Sequence, residues 1–340
     1  MKIIDSHTHI NNGNPDKLLS MADHYGYEKF NVLSTPCEGF LLNNLECLLT
    51  KKLAPERAYV YGGMTYIPGH EPTPEEHEHE LELLAEAGCD GWKILESKPS
   101  VYRKFQIPLD GPVFDKAFSF AEEAGLPLIW HCGDPSTFWD ASLASVFAVE
   151  HEWLCIGEGF PSLEELNKQA ENVLTHHSRL KVTFAHLFFI SDRRGYGEKM
   201  LDSFENLFFD LTPGSEMYWD FMKDPEYWLS FFDRYQNKLI YGTDMVDDEG
   251  DFVFGSQDVI VDLVMKTLKG QEPFKILDQG GTGLGLPEDI LKRIMHDNFE
   301  GRNGVPNPLN MDGLNAYVSW LMKRLPREEQ VRCENLLKRF

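Results

Sequence analysis

This sequence predicts an α/β fold, a (β/α)8 TIM barrel, and three observations carry the expectation. Short β-rich runs alternate with helical stretches from end to end, the runs number eight, and several of them close on a histidine or an aspartate. Strict alternation implies parallel strands joined by crossover helices. A count of eight favours closure into a barrel over an open sheet. Strands are expected at Lys2–Asp5, Lys29–Ser34, Ala58–Tyr66, Gly91–Leu95, Pro127–His131, Lys181–His186, Leu207–Leu211 and Lys238–Asp244. Helical periodicity fills the gaps, as at Pro74–Gly88, Pro112–Gly125, Ser162–His177 and Pro225–Tyr235. Gly88 and Gly125 stand as stop signals just before the next strand.

An open doubly wound sheet would place a glycine-rich phosphate turn after its first strand, where this chain has Ser6-His7-Thr8-His9. The run Gly280-Gly281-Thr282-Gly283-Leu284-Gly285 follows no strand and reads as a flexible loop. Two connections exceed ordinary turns: Cys132–Phe160 after the fifth strand and Met245–Leu286 after the eighth. Both leave the C-terminal end of a strand, the face on which barrel enzymes build their sites. The barrel is expected to occupy residues 1–300. Residues 301–340 form a C-terminal extension with two helical patterns, Met311–Leu325 and Pro326–Phe340. They are expected to pack outside the barrel or at a contact between copies of a homo-oligomer.

Composition narrows the function classes. A chain of 340 residues, 42% hydrophobic and 26% charged, suits a barrel with insertions and a large core. Its formal net charge of −23, from 32 basic and 55 acidic residues, repels phosphate backbones and argues against a nucleic-acid partner. A small-molecule substrate is the partner expected. No apolar run reaches the roughly 18 residues of a membrane-spanning helix, so no membrane partner is expected. The N-terminus, Met1-Lys2-Ile3-Ile4-Asp5, enters a strand with no signal-peptide core. Six cysteines without C-x-x-C spacing read as reduced thiols of a cytoplasmic protein.

His7 and His9 sit two apart at the end of the first strand, where alternation points both side chains to one side. With twelve histidines in the chain, roughly 0.4 His-x-His pairs are expected by chance, so the spacing alone decides little. A second pair, His77 and His79, lies in a Glu-rich helical stretch and reads as a solvated helix surface. The first pair gains weight from three further strand ends: Ile129-Trp130-His131, Phe184-Ala185-His186 and Tyr241-Gly242-Thr243-Asp244. Any one of these alone reads as a hydrogen-bonded strand end, or for Asp244 as a helix N-cap. Five such side chains on one rim point to a metal site. Imidazole and carboxylate donors suit zinc, and also manganese or iron. A metal with an open position makes hydroxide available near neutral pH, and a neighbouring carboxylate can move its proton.

Asp5-Ser6-His7-Thr8-His9, the histidines closing strands five and six, and Tyr241-Gly242-Thr243-Asp244 together resemble the amidohydrolase superfamily. The likeness is closest to its amidohydrolase 2 branch of predicted metal-dependent hydrolases and relatives of aminocarboxymuconate-semialdehyde decarboxylase. Gly133-Asp134-Pro135, the segment Phe160 to Leu166, and His296-Asp297-Asn298-Phe299 extend it to about residue 300. The resemblance implies His7, His9 and Asp244 as ligands of a first metal, with His131 completing a mononuclear site. It implies Asp244 as general base, and His186 as a group that polarises the substrate or binds a second metal.

Lys93, in the fourth strand, has three readings: a carbamylated bridge between two metals, a cation facing the substrate, or a structural lysine whose amine reaches solvent. One ion is therefore expected, and two if Lys93 is carbamylated. Arg193 and Arg194, shortly after strand six, are candidates to clamp a substrate carboxylate, with a solvated helix start as the plain alternative. Trp139, Tyr218 and Trp219 are candidate pocket walls or buried caps. The function expected is hydrolysis of a small ester, lactone or amide bearing a carboxylate. The alternative is metal-dependent, non-oxidative decarboxylation with the same ligands, and a third reading is a barrel that only binds a ligand.

Overall fold

The computed structural model describes residues 1–214, 216–248, 256–276 and 279–340. Nine parallel strand segments curl into one sheet: β1 (Ile4–His9), β2 (Lys29–Leu33), β3 (Ala58–Gly62), β4 (Gly91–Ser97), β5 (Pro127–Cys132), β6 (Lys181–Phe184), β7 (Leu207–Asp210), β8 (Leu239–Ile240) and β9 (Met245–Val246). The segments β8 and β9 are two halves of the eighth strand position. The first pairs with β7 and the second with β1, so the ring closes. Between them Tyr241–Asp244 leave the regular ladder yet stay bonded to β1, through Ser6 N to Tyr241 O at 3.1 Å and Asp244 N to His7 O at 2.9 Å.

Interior side chains stack in levels, as barrel packing requires. Ile4, Tyr59, Ile240 and Phe299 form one cluster, and Leu33, Tyr61, Ile129 and Ala185 another. Phe299 comes from the helix Asn298–Asn303, which is tied on by Asn298 Nδ2 donating to Gln236 O and Leu239 O at 2.7 Å each. The outer helices begin and end on recognisable chemistry. Thr73 and Glu76 form a capping box at the start of Pro74–Ala87. Gly88 ends that helix at φ 108°, where the Pro308 carbonyl also leaves no room for a Cβ.

Several strand ends differ from the expectation. The first strand runs on through His9, because its pairing with β2 and β9 continues to that residue. The third and sixth stop earlier, at Gly62 and Phe184. The long connection after the fifth strand contains two short helical segments, Ser136–Trp139 and Val146–Glu150. The glycine run is not simply a flexible loop: Gly280, Gly281 and Thr282 lie in β11 (Gln279–Thr282), antiparallel to β10 (Pro273–Ile276). Residues 249–255 and 277–278 of the expected connection Met245–Leu286 lie outside the described residues.

The reading of His77 as a solvated residue is also corrected. His79 is half-exposed beside Glu82, but His77 is buried, its ring 5.6 Å from Tyr66 and 4.9 Å from Phe114. Burial pushes its pKa down to about 4, which leaves it a neutral core ring. The reason is tertiary. The helix Pro74–Ala87 is covered by Pro112–Ala124 and also by Met311–Met322, whose Tyr317 hydroxyl reaches Glu80 at 3.4 Å. No described helix is long and apolar enough to cross a membrane.

Candidate metal centre and its pocket

The last alternating residues of β1 bring His7 Nε2 and His9 Nε2 to 3.2 Å of each other. Each ring is held from behind. His7 Nδ1 lies 2.8 Å from Asp210 Oδ2, and His9 Nδ1 lies 2.9 Å from the Leu33 carbonyl oxygen. Both Nδ1 atoms face acceptors, so both carry the proton and leave the Nε2 lone pairs pointing inward. Asp244 Oδ1 completes the group at 3.2 Å from His9 Nε2 and 3.5 Å from His7 Nε2. Three lone-pair donors so close repel one another unless a cation lies among them. The donor set therefore fits a divalent metal, on the chemistry of its atoms and on their convergence within 4.8 Å.

The Tyr241-Gly242-Thr243-Asp244 segment explains how the aspartate gets there. A side chain at Gly242 would strike Thr212 Oγ1 and His7 Cβ, so glycine lets the eighth strand approach the first. Thr243 gives its N–H at 3.1 Å and its hydroxyl at 2.5 Å to Asp5. Asp244 then takes φ 61°, a left-handed conformation that aspartate tolerates better than most residues, and its carboxylate swings over the histidines. Asp5 also accepts from His7 N at 3.1 Å and so braces both sides of the site; burial pushes its pKa up to about 7.

His131 and His186 stand beside this group without joining it. Their rings are 4.8 Å apart, His186 is 5.2 Å from His7, and His131 Nε2 lies 3.3 Å from Asp134 Oδ1. Burial holds His7 and His131 well below the usual histidine range and His186 down to about 3. All three rings are neutral, the state in which imidazole ligates or donates through one nitrogen. His186 opens a run of four residues, through Phe189, with φ between 48° and 55°. Such a left-handed turn is disfavoured at about 1–2 kcal/mol per residue and persists where surrounding contacts impose it. Here Asp210 Oδ1 accepts from His186 N at 2.8 Å, so one buried carboxylate holds both His7 and His186.

Lys93 is buried, with Nζ 3.3 Å from His7 Nε2. Burial brings its pKa down to about 8, against the pull of Asp244 and Asp210. Arg193 and Arg194, by contrast, do not reach this site. They line a separate groove with Asn167, Lys168 and Tyr196, where Arg194 pairs with Asp224 at 2.6 Å and Arg193 donates to Phe189 O. The clamp reading is corrected accordingly: both arginines line that groove, and neither lines the pocket over the donors. Tyr218 is a buried cap, its hydroxyl donating to Leu211 O at 2.6 Å. Trp139 donates to Pro161 O at 2.9 Å, and Trp219 is part-buried against the core.

Above the donors lies a pocket of about 570 Å³. His131, His186 and Asp244 reach its floor, and Phe138, Trp153, Phe160 and Phe189 supply aromatic wall. Asp134, Glu38 and Lys98 add charge. Burial pushes the Asp134 carboxyl up to about 7, against the opposing pull of Lys98. Sequence reasoning missed Asp210, Asp134, Glu38 and Lys98. Asp210 alone carried a usable signal, a polar residue at the close of an apolar strand.

The sequence profile of the amidohydrolase family matches residues 4–298. The chain belongs to the amidohydrolase family. Membership makes it a metal-dependent enzyme, in agreement with the donor geometry. Comparison with curated proteins finds no match. Among solved structures, the chain resembles a 2,6-dihydroxybenzoate decarboxylase complexed with 2,6-dihydroxybenzoate, at 13% identity and TM-score 0.50, covering 89% of this chain and 99% of that one. It also resembles a dihydroxybenzoic acid decarboxylase from Polaromonas sp. JS666 with bound manganese and the inhibitor 2-nitroresorcinol. There the identity is 13% and the TM-score 0.52, over 88% of this chain and 96% of that one. The IDCase of Metarhizium anisopliae in apo form gives 14% and 0.53 over the same shares. At these identities the likeness establishes a shared fold.

Proposed function

We propose that this amidohydrolase-family enzyme removes carbon dioxide, without oxidation, from a small aromatic or enoic acid. The observation that carries the reading is the aromatic wall standing directly over the donor group. A carboxylate drawn under such a wall loses hydration, while the charge spread over a ring or double bond as carbon dioxide departs depends less on water. A divalent ion held by His7, His9 and Asp244, zinc or manganese by ligand type, would supply positive charge for an oxygen of the acid. The chain's own groups do the rest. His186, neutral and fixed by its left-handed turn, can donate a hydrogen bond to the substrate. Asp134, a buried carboxyl close to its neutral form, is placed beside His131 to give a proton to the carbon that the carboxyl group leaves. The decarboxylase names of two structures of the same fold support this reading.

A second reading is hydrolysis of an ester, lactone or amide. It is favoured by Asp244, whose side chain is 41% exposed toward the pocket and can take a proton from water. One assay separates the two. Lactones, carboxylate esters and aromatic or enoic acids are offered in deuterium oxide, with carbon dioxide detection. The expected result is carbon dioxide from an acid and one deuterium on the vacated carbon. Ring opening or ester cleavage without carbon dioxide would replace decarboxylation with hydrolysis.

A further inference from the structure

At the end of the barrel opposite the metal donors lies a guanidinium with no counter-charge. Arg302 belongs to the helix Asn298–Asn303, whose Phe299 fills the barrel interior. Its guanidinium stands over the Phe208 ring, 4.3 Å from the centroid, and Nη2 donates to Asn206 O at 2.8 Å. Among the described residues that is one hydrogen bond for a group with five N–H donors, and its Nε is buried without a partner. The other part-buried arginines, Arg57, Arg193, Arg194 and Arg324, each face a carboxylate, at 2.7, 3.7, 2.6 and 3.5 Å. Arg193 also has an unpartnered Nε, but Asp192 stands beside it. Arg302 faces no carboxylate among the described residues. Burial brings its pKa down to about 10, with Tyr61 and no carboxylate pulling the other way, so the group stays charged at neutral pH. A charge drawn out of water without a partner is costly, and an anion from solution would relieve it.

Beside Arg302 opens a pocket of about 410 Å³, walled by the starts of the last strands. Lys181 is the first residue of β6, Asn206 and Phe208 flank the first residue of β7, and Asn237 precedes β8. Lys181 brings a second cation, and no described carboxylate pairs with it. Two acids also line the pocket. Asp297 is engaged by Lys292 and by His296 Nδ1, and Glu205 is exposed on the rim. In a chain of net charge −23, such a local pair of cations is where an anion can settle. We propose that this pocket at the base of the barrel binds a phosphate group, free or carried by a small metabolite, between Arg302 and Lys181. Two cations match the charge of about −2 that a phosphate carries near neutral pH, and the guanidinium fork suits two of its oxygens. The bound group would tie the helix Asn298–Asn303 to the starts of β6 and β7 and so fasten the barrel floor. The site is remote from the chemistry and independent of the decarboxylase reading.

The metal centre would also attract phosphate, so the test must locate the binding. Inorganic phosphate and glycerol 3-phosphate are titrated by calorimetry, at constant ionic strength in chloride. The proteins are the metal-loaded enzyme and the His7→Ala, His9→Ala double variant, each with and without Arg302→Met. The double variant is expected to bind phosphate with a Kd of about 1 mM, the strength of two hydrogen bonds to charged groups. Adding Arg302→Met should weaken that binding about tenfold or more. Phosphate should raise the melting temperature of the wild type and leave that of folded Arg302→Met level. Tighter binding of the ester would assign the site to a phosphorylated metabolite, and tighter binding of the free ion to inorganic phosphate. A double variant that binds neither, or an affinity that Arg302→Met leaves unchanged, would overturn the proposal. Should Arg302→Met not fold, Glu205→Gln decides, because it removes a like charge from the exposed rim. Tighter phosphate binding by Glu205→Gln is expected, and no gain would overturn the proposal equally.

Discussion

Asp244→Asn lowers turnover by about 10²–10⁴, the range over which a positioned acid or base acts, and weakened metal binding adds to that loss. The barrel itself should persist. An amide of nearly equal shape fits the left-handed position at φ 61°, and Asp244 N still reaches His7 O at 2.9 Å. Turnover and bound metal are measured together on the purified variant. A slow variant that keeps its metal assigns Asp244 a proton-handling role, and a slow variant without metal assigns it the ligand role alone. Turnover close to wild type would show that Asp244 is neither.

Asp210→Asn weakens metal affinity by about 10–100-fold, the usual cost of losing the group behind a ligating histidine. The geometry makes asparagine a poor replacement. One carboxylate oxygen faces His7 Nδ1 at 2.8 Å, and the other accepts from His186 N at 2.8 Å and Thr212 N at 3.1 Å. An amide has a single oxygen. If it serves His7, the NH2 group meets the two backbone N–H groups. If it serves the backbone, the NH2 group donates to His7 Nδ1 and drives the ring proton to Nε2, where a metal must bind. Either arrangement leaves a fully buried polar group in conflict, so the melting temperature should fall as well. Chelator competition and thermal unfolding check both effects. An asparagine variant with unchanged metal affinity would show that His7 does not need Asp210 behind it.

The parts of this architecture that were legible in the sequence are those set by local pattern. Alternating strands and helices, the glycines at 88 and 125, and the strand-closing histidines and Asp244 are all read within a few residues. The parts that escaped depend on what packs from far away. His77 and Glu80 sit among glutamates that advertise a solvated face, yet Phe114 of Pro112–Ala124 covers His77 and Tyr317 of Met311–Met322 reaches Glu80. Arg193 and Arg194 follow the correct strand, but they line a groove shared with Asn167 and Lys168 of the preceding helix, a neighbour some 25 positions away that no local pattern names. Lys98 and Glu38 are 60 positions apart and meet only because β2 and β4 end on the same rim. Asp210 carries the signal of a polar residue closing an apolar strand, but the groups it holds, His7 on β1 and His186 after β6, lie far off in the chain and no local pattern names them.

Everything proposed for the pocket over the donors depends on a metal ion held by the ends of β1 and of the eighth strand. The most direct test is elemental analysis of the purified protein, produced with zinc and manganese supplied, beside the His7→Ala, His9→Ala double variant. The wild type is expected to carry about one divalent transition metal per chain, as the three converging donors imply, and the double variant is expected to lose it while remaining folded. A wild type that carries no such metal, or a double variant that retains as much as the wild type, would contradict this expectation.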